Sequence, residues 1–326
     1  MGLLLSRLSC QHQAMTNILK TPDGTPISRF CFGAMQFGGK ADHAASHALY
    51  DACRAAGINF FDTAHAYTDG ISETWLGEFA AHERDNVFVA SKANFGQGAG
   101  RKNLVDSLDE SRKRLGMDFI DLYYIHKFDA DTPFEESFEV LGGFVDKGLI
   151  GAIGVSNFAA WQVVKAQNVA AKFGAKISMF QPMYNLVKRQ AEVEILPMCV
   201  DQGIAAVPYS PLGGGLLTGK YVGGGAGRLN EMPMYASRYA PDWMHAAAAG
   251  LVEIARDVGV EAATLAVAWV AKNAGVTAPI ISARTVEQLQ PSLAALDFKM
   301  DDALYARISA LSPTPPPATD RLEEAS

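Results

Sequence analysis

Short apolar, β-branched runs alternate with amphipathic stretches along nearly the whole chain. The runs at 29–35, 58–64, 86–92, 120–126, 150–157, 178–184, 204–210 and 278–283 are mostly apolar on both faces, as parallel strands covered by helices must be. Between them, residues 43–56, 102–115, 134–147 and 159–172 carry helical periodicity. Gly57, Gly116, Gly148, Gly174 and Gly203 stand where a helix should stop and the next strand begin. Eight strands in this order predict an α/β fold, a (β/α)8 TIM barrel. Two features break the even spacing. Pro22, Asp23 and Gly24 form a turn between extended pieces and predict an N-terminal β-hairpin ahead of the barrel. A long insertion between strands 7 and 8 holds the Gly-rich segment 213–227, a Met/Tyr/Pro-rich stretch, and helical patterns at 242–258 and 262–273. Insertions at this end of a barrel commonly serve as lids or binding loops.

Composition narrows the class. No linker divides the 326 residues, so residues 16–312 read as one barrel domain. A hydrophobic content of 49% is ample for a closed core, and 19% charged residues are too few for a disordered chain. The net charge of −7, without a dense basic patch, argues against a nucleic-acid partner. Apolar runs stay short of the roughly 18–20 residues of a membrane span. Cys10, Cys31, Cys53 and Cys199 are scattered, which fits a reduced, cytoplasmic setting. Residues 1–15 are expected to be a dispensable leader, although their start matches an N-myristoylation pattern at Gly2. The Pro-rich tail 313–326 is expected to be disordered.

A barrel enzyme builds its site from the C-terminal ends of its strands. Those ends supply Asp62, with Tyr67 in the loop beyond it, then Lys92, His126, Ser156 with Asn157, Gln181 with Tyr184, Tyr209 with Ser210, and Ser282 with Arg284. A tyrosine is a poor acid at neutral pH, its ordinary pKa being about 10. An ammonium ~4 Å away at an effective dielectric of ~20 is worth ~4 kcal/mol of phenolate stabilisation before desolvation is subtracted. The lysine needs a carboxylate to stay charged in a cleft, and Asp62 supplies one. A histidine beside the tyrosine can orient a carbonyl oxygen and share the proton. Asp62, Tyr67, Lys92 and His126 therefore form a proton-donating unit that needs no metal.

The stretch FFDTAHAYTDGISETWLGEF resembles the signature of the aldo-keto reductases. ASK with Lys92, YYIHKFD with His126, GVSNF, FQPMYNL, PYSPLGGGLLTGKY and ARTVEQL are similar to that family's further segments, in order, from about residue 18 to 311. The resemblance implies a catalytic tetrad of Asp62, Tyr67, Lys92 and His126 and an NADPH cofactor reducing a small carbonyl substrate. It implies that Ser156, Asn157 and Gln181 hold the nicotinamide carboxamide and that Tyr209 stacks on the ring. Ser210, Leu212, Gly214 and Lys220 would line the pyrophosphate, Ser282 and Arg284 the 2′-phosphate, and Gln288 the adenine. This chain departs from the family in carrying Ser292, after Pro291, where many members have Asn.

Two other readings stay open at this level: a subunit like the potassium-channel β subunits, which keep the cofactor site, and an NAD-linked polyol dehydrogenase. Loops 93–101, 127–133 and 222–241, with Phe95, Phe128, Met232, Met234, Tyr235 and Tyr239, are expected to form the substrate pocket. Met232, Met234, Tyr235, Tyr239 and Trp243 serve equally as core or lid. His43 and His47, at helical spacing, read as an exposed helix face rather than a metal pair.

Overall fold

A computed structural model describes residues 19–321. The expected leader, with Gly2 and Cys10, lies outside the described residues. So do residues 322–326 of the expected tail. Eight parallel strands form one sheet: β1 (Cys31–Gly33), β2 (Phe60–Asp62), β3 (Phe88–Lys92), β4 (Ile120–Ile125), β5 (Ile150–Ser156), β6 (Ile177–Gln181), β7 (Ala205–Ala206) and β8 (Ile280–Ile281). Their spatial order is β7-β6-β5-β4-β3-β2-β1-β8. Thr277 and Ile280 donate backbone N–H bonds to Ala206 and Pro208, which brings the two edge strands together.

Helices cover the outside of this sheet: α1 (His43–Ala55), α2 (Ile71–Ala80), α3 (Arg101–Leu115), α4 (Phe134–Asp146), α5 (Ala160–Ala170) and α6 (Ile195–Gln202) alternate with the strands. Between β7 and β8 come α7 (Arg228–Glu231), α8 (Pro233–Arg238), α9 (Asp242–Val258) and α10 (Ala262–Lys272); α11 (Val286–Ala294) and α12 (Asp302–Ser309) follow β8. Gly57, Gly116, Gly148, Gly174 and Gly203 all have positive φ, the conformation that ends a helix without a Cβ penalty. Gly77 meets a different need. A Cβ there would lie 2.1 Å from the Leu115 carbonyl, so α2 and α3 approach closely only because it is absent.

The period of two along each strand sorts side chains into two cores. Phe61, Val89, Tyr123 and Phe180 point outward to the helices. Phe60, Phe88, Leu122 and Met179 point inward, and Leu19 and Ile27 join them beneath the sheet. Those two residues flank the Pro22-Asp23-Gly24 turn, which is closed by one antiparallel bridge, Lys20 to Pro26. One step further along the same inward rows come Asp62, Lys92, Tyr124 and Gln181. Pairing places Lys92 beside Tyr124, and Ser156 beside Gln181. The apolar plug therefore ends where the polar layer begins, and that layer lies at the strand C-termini. No described helix is long and apolar enough to cross a membrane.

Candidate active site

Asp62 and Lys92 form a fully desolvated ion pair at 2.5 Å. The Lys92 ammonium also donates to the Thr63 carbonyl at 2.7 Å and to the Tyr67 hydroxyl at 3.5 Å. The second Asp62 oxygen accepts from Gln181 Nε2 at 2.9 Å. The carboxylate thus has a partner on both oxygens, which a buried charge requires. Burial works against the Lys92 charge, but Asp62 and Tyr67 outweigh it and leave the ammonium above its ordinary range. Burial also pushes the Tyr67 phenol up; Lys92 opposes that push without cancelling it. Desolvation is thus a larger effect than the stabilisation of the phenolate by the lysine charge. His126 lies edge-on to Tyr67, ring centres 5.8 Å apart. Burial first and Lys92 second lower its pKa to about 3, so the imidazole is neutral at physiological pH.

The loop carrying Tyr67 is held from behind. Thr68, Asp69 and Gly70 have consecutive positive φ values of 48°, 52° and 90°. Two non-glycine residues there, one β-branched, are a strained turn that needs support from its surroundings. Thr68 Oγ1 donates to the Phe37 carbonyl at 2.7 Å and accepts from the Ser72 N–H at 3.1 Å. Arg114 donates to the His65 carbonyl at 3.0 Å and to Glu73 at 3.2 Å. Glu73 is fully buried and accepts from Ser91, the neighbour of Lys92. Glu73 and Arg114 escaped the sequence reading. The available signal was weak, because the helix ISETWLGEFA carries a second acidic residue, Glu78, on its exposed side.

Tyr67, His126 and Asp62 open on a cleft of about 820 Å3 that runs across the strand ends. All the expected cofactor residues line it: Ser156, Asn157, Gln181, Tyr209, Ser210, Leu212, Gly214, Lys220, Ser282, Arg284 and Gln288. Lys92 stands behind the wall. The carboxamide candidates are tied to the protein: Ser156 Oγ donates to the Gln181 carbonyl, and Gln181 donates to Asp62. Asn157 donates to the His126 carbonyl at 2.9 Å and accepts from the Tyr209 hydroxyl at 2.9 Å. Asn157 and Ser210 both hold positive φ, which turns their backbones at the cleft edge. Tyr184 faces away, its hydroxyl donating to Glu192. Arg284 pairs with Glu231 at 3.4 Å across the cleft mouth.

Several expectations for the pocket are corrected. Phe128 packs on Phe134 and Phe158, away from the cleft. Tyr239 is fully buried beneath the insertion, and Met232 is absent from the cleft wall. Tyr235 and Met234 do line the cleft, as does Phe95. Lys127, Arg228 and Arg238 also line it and were missed. Ser292 is buried beside Pro291, whose carbonyl accepts from Thr264. His43 is engaged by Glu78 and by the Trp75 and Phe79 rings.

The buried lysine–aspartate–tyrosine unit thus lies under a cleft at the C-terminal ends of eight parallel strands, in an α/β fold. The chain belongs to the aldo/keto reductase family, whose model matches residues 29–313. It is 33% identical to an uncharacterized oxidoreductase, YrpG, of Bacillus subtilis, over 90% of this chain and 94% of that one. It is 35% identical to a probable voltage-gated potassium channel subunit beta of Oryza sativa, over 84% and 89%. It is 32% identical to norsolorinic acid reductase stcV of Emericella nidulans, over 87% and 78%.

Proposed function

We propose that this protein is an NADPH-dependent reductase that converts an aldehyde or ketone to its alcohol. The observation carrying this reading is Lys92, whose ammonium joins Asp62 at 2.5 Å and the Tyr67 hydroxyl at 3.5 Å at the cleft floor. When bound, a reduced nicotinamide supplies the hydride. Tyr67 gives its hydroxyl proton to the carbonyl oxygen, and Lys92 stabilises the phenolate left behind. Asp62 holds Lys92 charged, and neutral His126 orients the carbonyl. In the reverse direction the Tyr67 phenolate takes the proton back.

The residues present fit a dinucleotide. Ser282 Oγ is buried with no hydrogen-bond partner among the described residues, so it has a free donor beside Arg284. Gly214 and Gly215 have positive φ, in a turn whose backbone amides suit phosphate. Tyr209 is fixed by Asn157 in the position of a stacking platform. Ser156, Asn157 and Gln181 would face the carboxamide, Lys220 and Leu212 the pyrophosphate, Ser282 and Arg284 the 2′-phosphate, and Gln288 the adenine.

A panel of aldehydes and ketones assayed by loss of NADPH absorbance tests the reading. Turnover of several members is expected; none at any pH from 5 to 8 would reject it. A second reading, a channel-associated subunit that keeps the cofactor site, is favoured by the name of the Oryza sativa relative. NADPH binding without turnover of any carbonyl would support that one.

A further inference from the structure

The chain carries a net charge of −7, yet its cleft is cationic. Lys127, Lys220, Arg228, Arg238 and Arg284 line the walls, against the carboxylates of Asp62 and Glu261. Asp62 is already neutralised by Lys92. Under the proposed function the cofactor phosphates lie against Lys220 and Arg284. Arg228, Arg238 and Lys127 then remain without an anion. None of the three has a carboxylate within 4.0 Å among the described residues, whereas Arg284 has Glu231.

All three line the cleft that holds Tyr67 and His126. Arg238 ends α8, and its guanidinium lies over the Tyr235 ring, 5.3 Å from the ring centre. Arg228 lies over the same ring at 5.5 Å. Two like charges sharing one aromatic ring repel unless an anion sits between or beside them. Lys188, close by, falls below its ordinary range through burial and the field of Arg238. That field also reaches Tyr209, where it opposes the upward push of burial. On the other flank Lys127 follows His126, with its ammonium over Phe95 at 5.5 Å. Phe95 in turn packs edge-on to His126 at 5.1 Å. The walls between these cations are apolar, supplied by Met35, Phe95 and Met234.

We propose that the substrate is a carbonyl compound with an apolar body and a carboxylate, the carboxylate seated on Arg238. The planar guanidinium fork matches the two oxygens of a carboxylate. The apolar walls take the body, and the carbonyl reaches Tyr67 and His126. This inference rests on the reductase reading.

The test compares 4-formylbenzoate with its neutral methyl ester, using wild type and Arg238→Met, which keeps an apolar stem. Wild type is expected to favour the acid in kcat/KM. Arg238→Met should lower kcat/KM for the acid by about 10- to 150-fold, chiefly through KM, and far less for the ester. NADPH Kd should be unaltered. Equal losses on acid and ester, or weakened NADPH binding, would overturn the assignment of Arg238 to substrate. A measurement free of turnover keeps the two readings apart: calorimetric titration of the NADP+-loaded protein with 4-hydroxymethylbenzoate. Binding that is lost in Arg238→Met, without turnover of either aldehyde, upholds the carboxylate seat and overturns the reductase reading. Turnover of acid and ester alike, with no binding difference between wild type and variant, does the reverse. Neither turnover nor binding overturns both.

Discussion

The floor of the cleft and its lip both depend on ion pairs, and the two pairs have opposite physics. At the floor, Asp62 and Lys92 are cut off from water and locked by Thr63, Gln181 and Tyr67. Desolvating two charges is costly there, and only a complete set of partners offsets it. At the lip, Arg284 and Glu231 meet at 3.4 Å with much of the Glu231 side chain in solvent. Such a pair is worth about 0–1 kcal/mol and opens readily. Under the proposed function, a rigid floor would fix the proton donor, and a weak latch would let a charged ligand enter and exchange partners.

The sharpest way to break the comparison is at the acid itself. Tyr67→Phe is expected to lower kcat by about 10²–10⁴-fold while NADPH binding stays near wild type. Near-normal turnover would remove Tyr67 from its role. Lys92→Met strands a buried carboxylate and should cost about 3–5 kcal/mol of stability in denaturant titrations. Arg284→Ala should cost no more than about 1 kcal/mol in the same titrations. Similar losses for both would erase the distinction between floor and lip.

His126 gives a pH test of burial at the floor. Its folded pKa is about 3, whereas the unfolded imidazole protonates near 6.5. The unfolded chain therefore binds the extra proton between those values. His126 contributes its full stability above about pH 6.5, and that contribution falls as pH drops toward about 3, by at most about 1.4 kcal/mol per pH unit. His126→Asn should flatten that part of the stability–pH curve; an unchanged slope would place the ring in water.

The smallest effects belong to the latch. Arg284→Ala is expected to weaken NADPH by roughly 10- to 150-fold and NADH far less, read by quenching of tryptophan fluorescence. Glu231→Gln frees Arg284 from its competing carboxylate. It should tighten NADPH by less than about 5-fold, in line with about 1 kcal/mol for an exposed pair. Equal weakening of both cofactors in Arg284→Ala, or weaker NADPH binding in Glu231→Gln, would detach this pair from the 2′-phosphate.

Much of this architecture is legible in the chain itself. Short apolar, β-branched runs mark all eight strands, because apolar content and β-branching are local properties. The cores are shorter than the apolar runs, as at 204–210, where only Ala205–Ala206 pairs regularly. Gly57, Gly116, Gly148, Gly174 and Gly203 mark helix ends because left-handed backbone is a property of one residue. The same local rule, an inward side chain at every second position, carries Asp62, Lys92 and Gln181 to one rim.

Tertiary structure alone decided the rest. Gln181 and Asp62 are 119 residues apart, Arg114 and Glu73 are 41 apart, and Arg284 and Glu231 are 53 apart. No periodic pattern links such positions. The insertion between β7 and β8 shows the limit best: its large apolar residues are alike in pattern, yet Tyr239 is buried, Tyr235 lines the cleft under two guanidinium groups, and Met232 faces solvent. Strand and helix periods follow from backbone hydrogen bonding within a few residues. The choice of partner for a loop side chain depends on where distant backbone has already been placed.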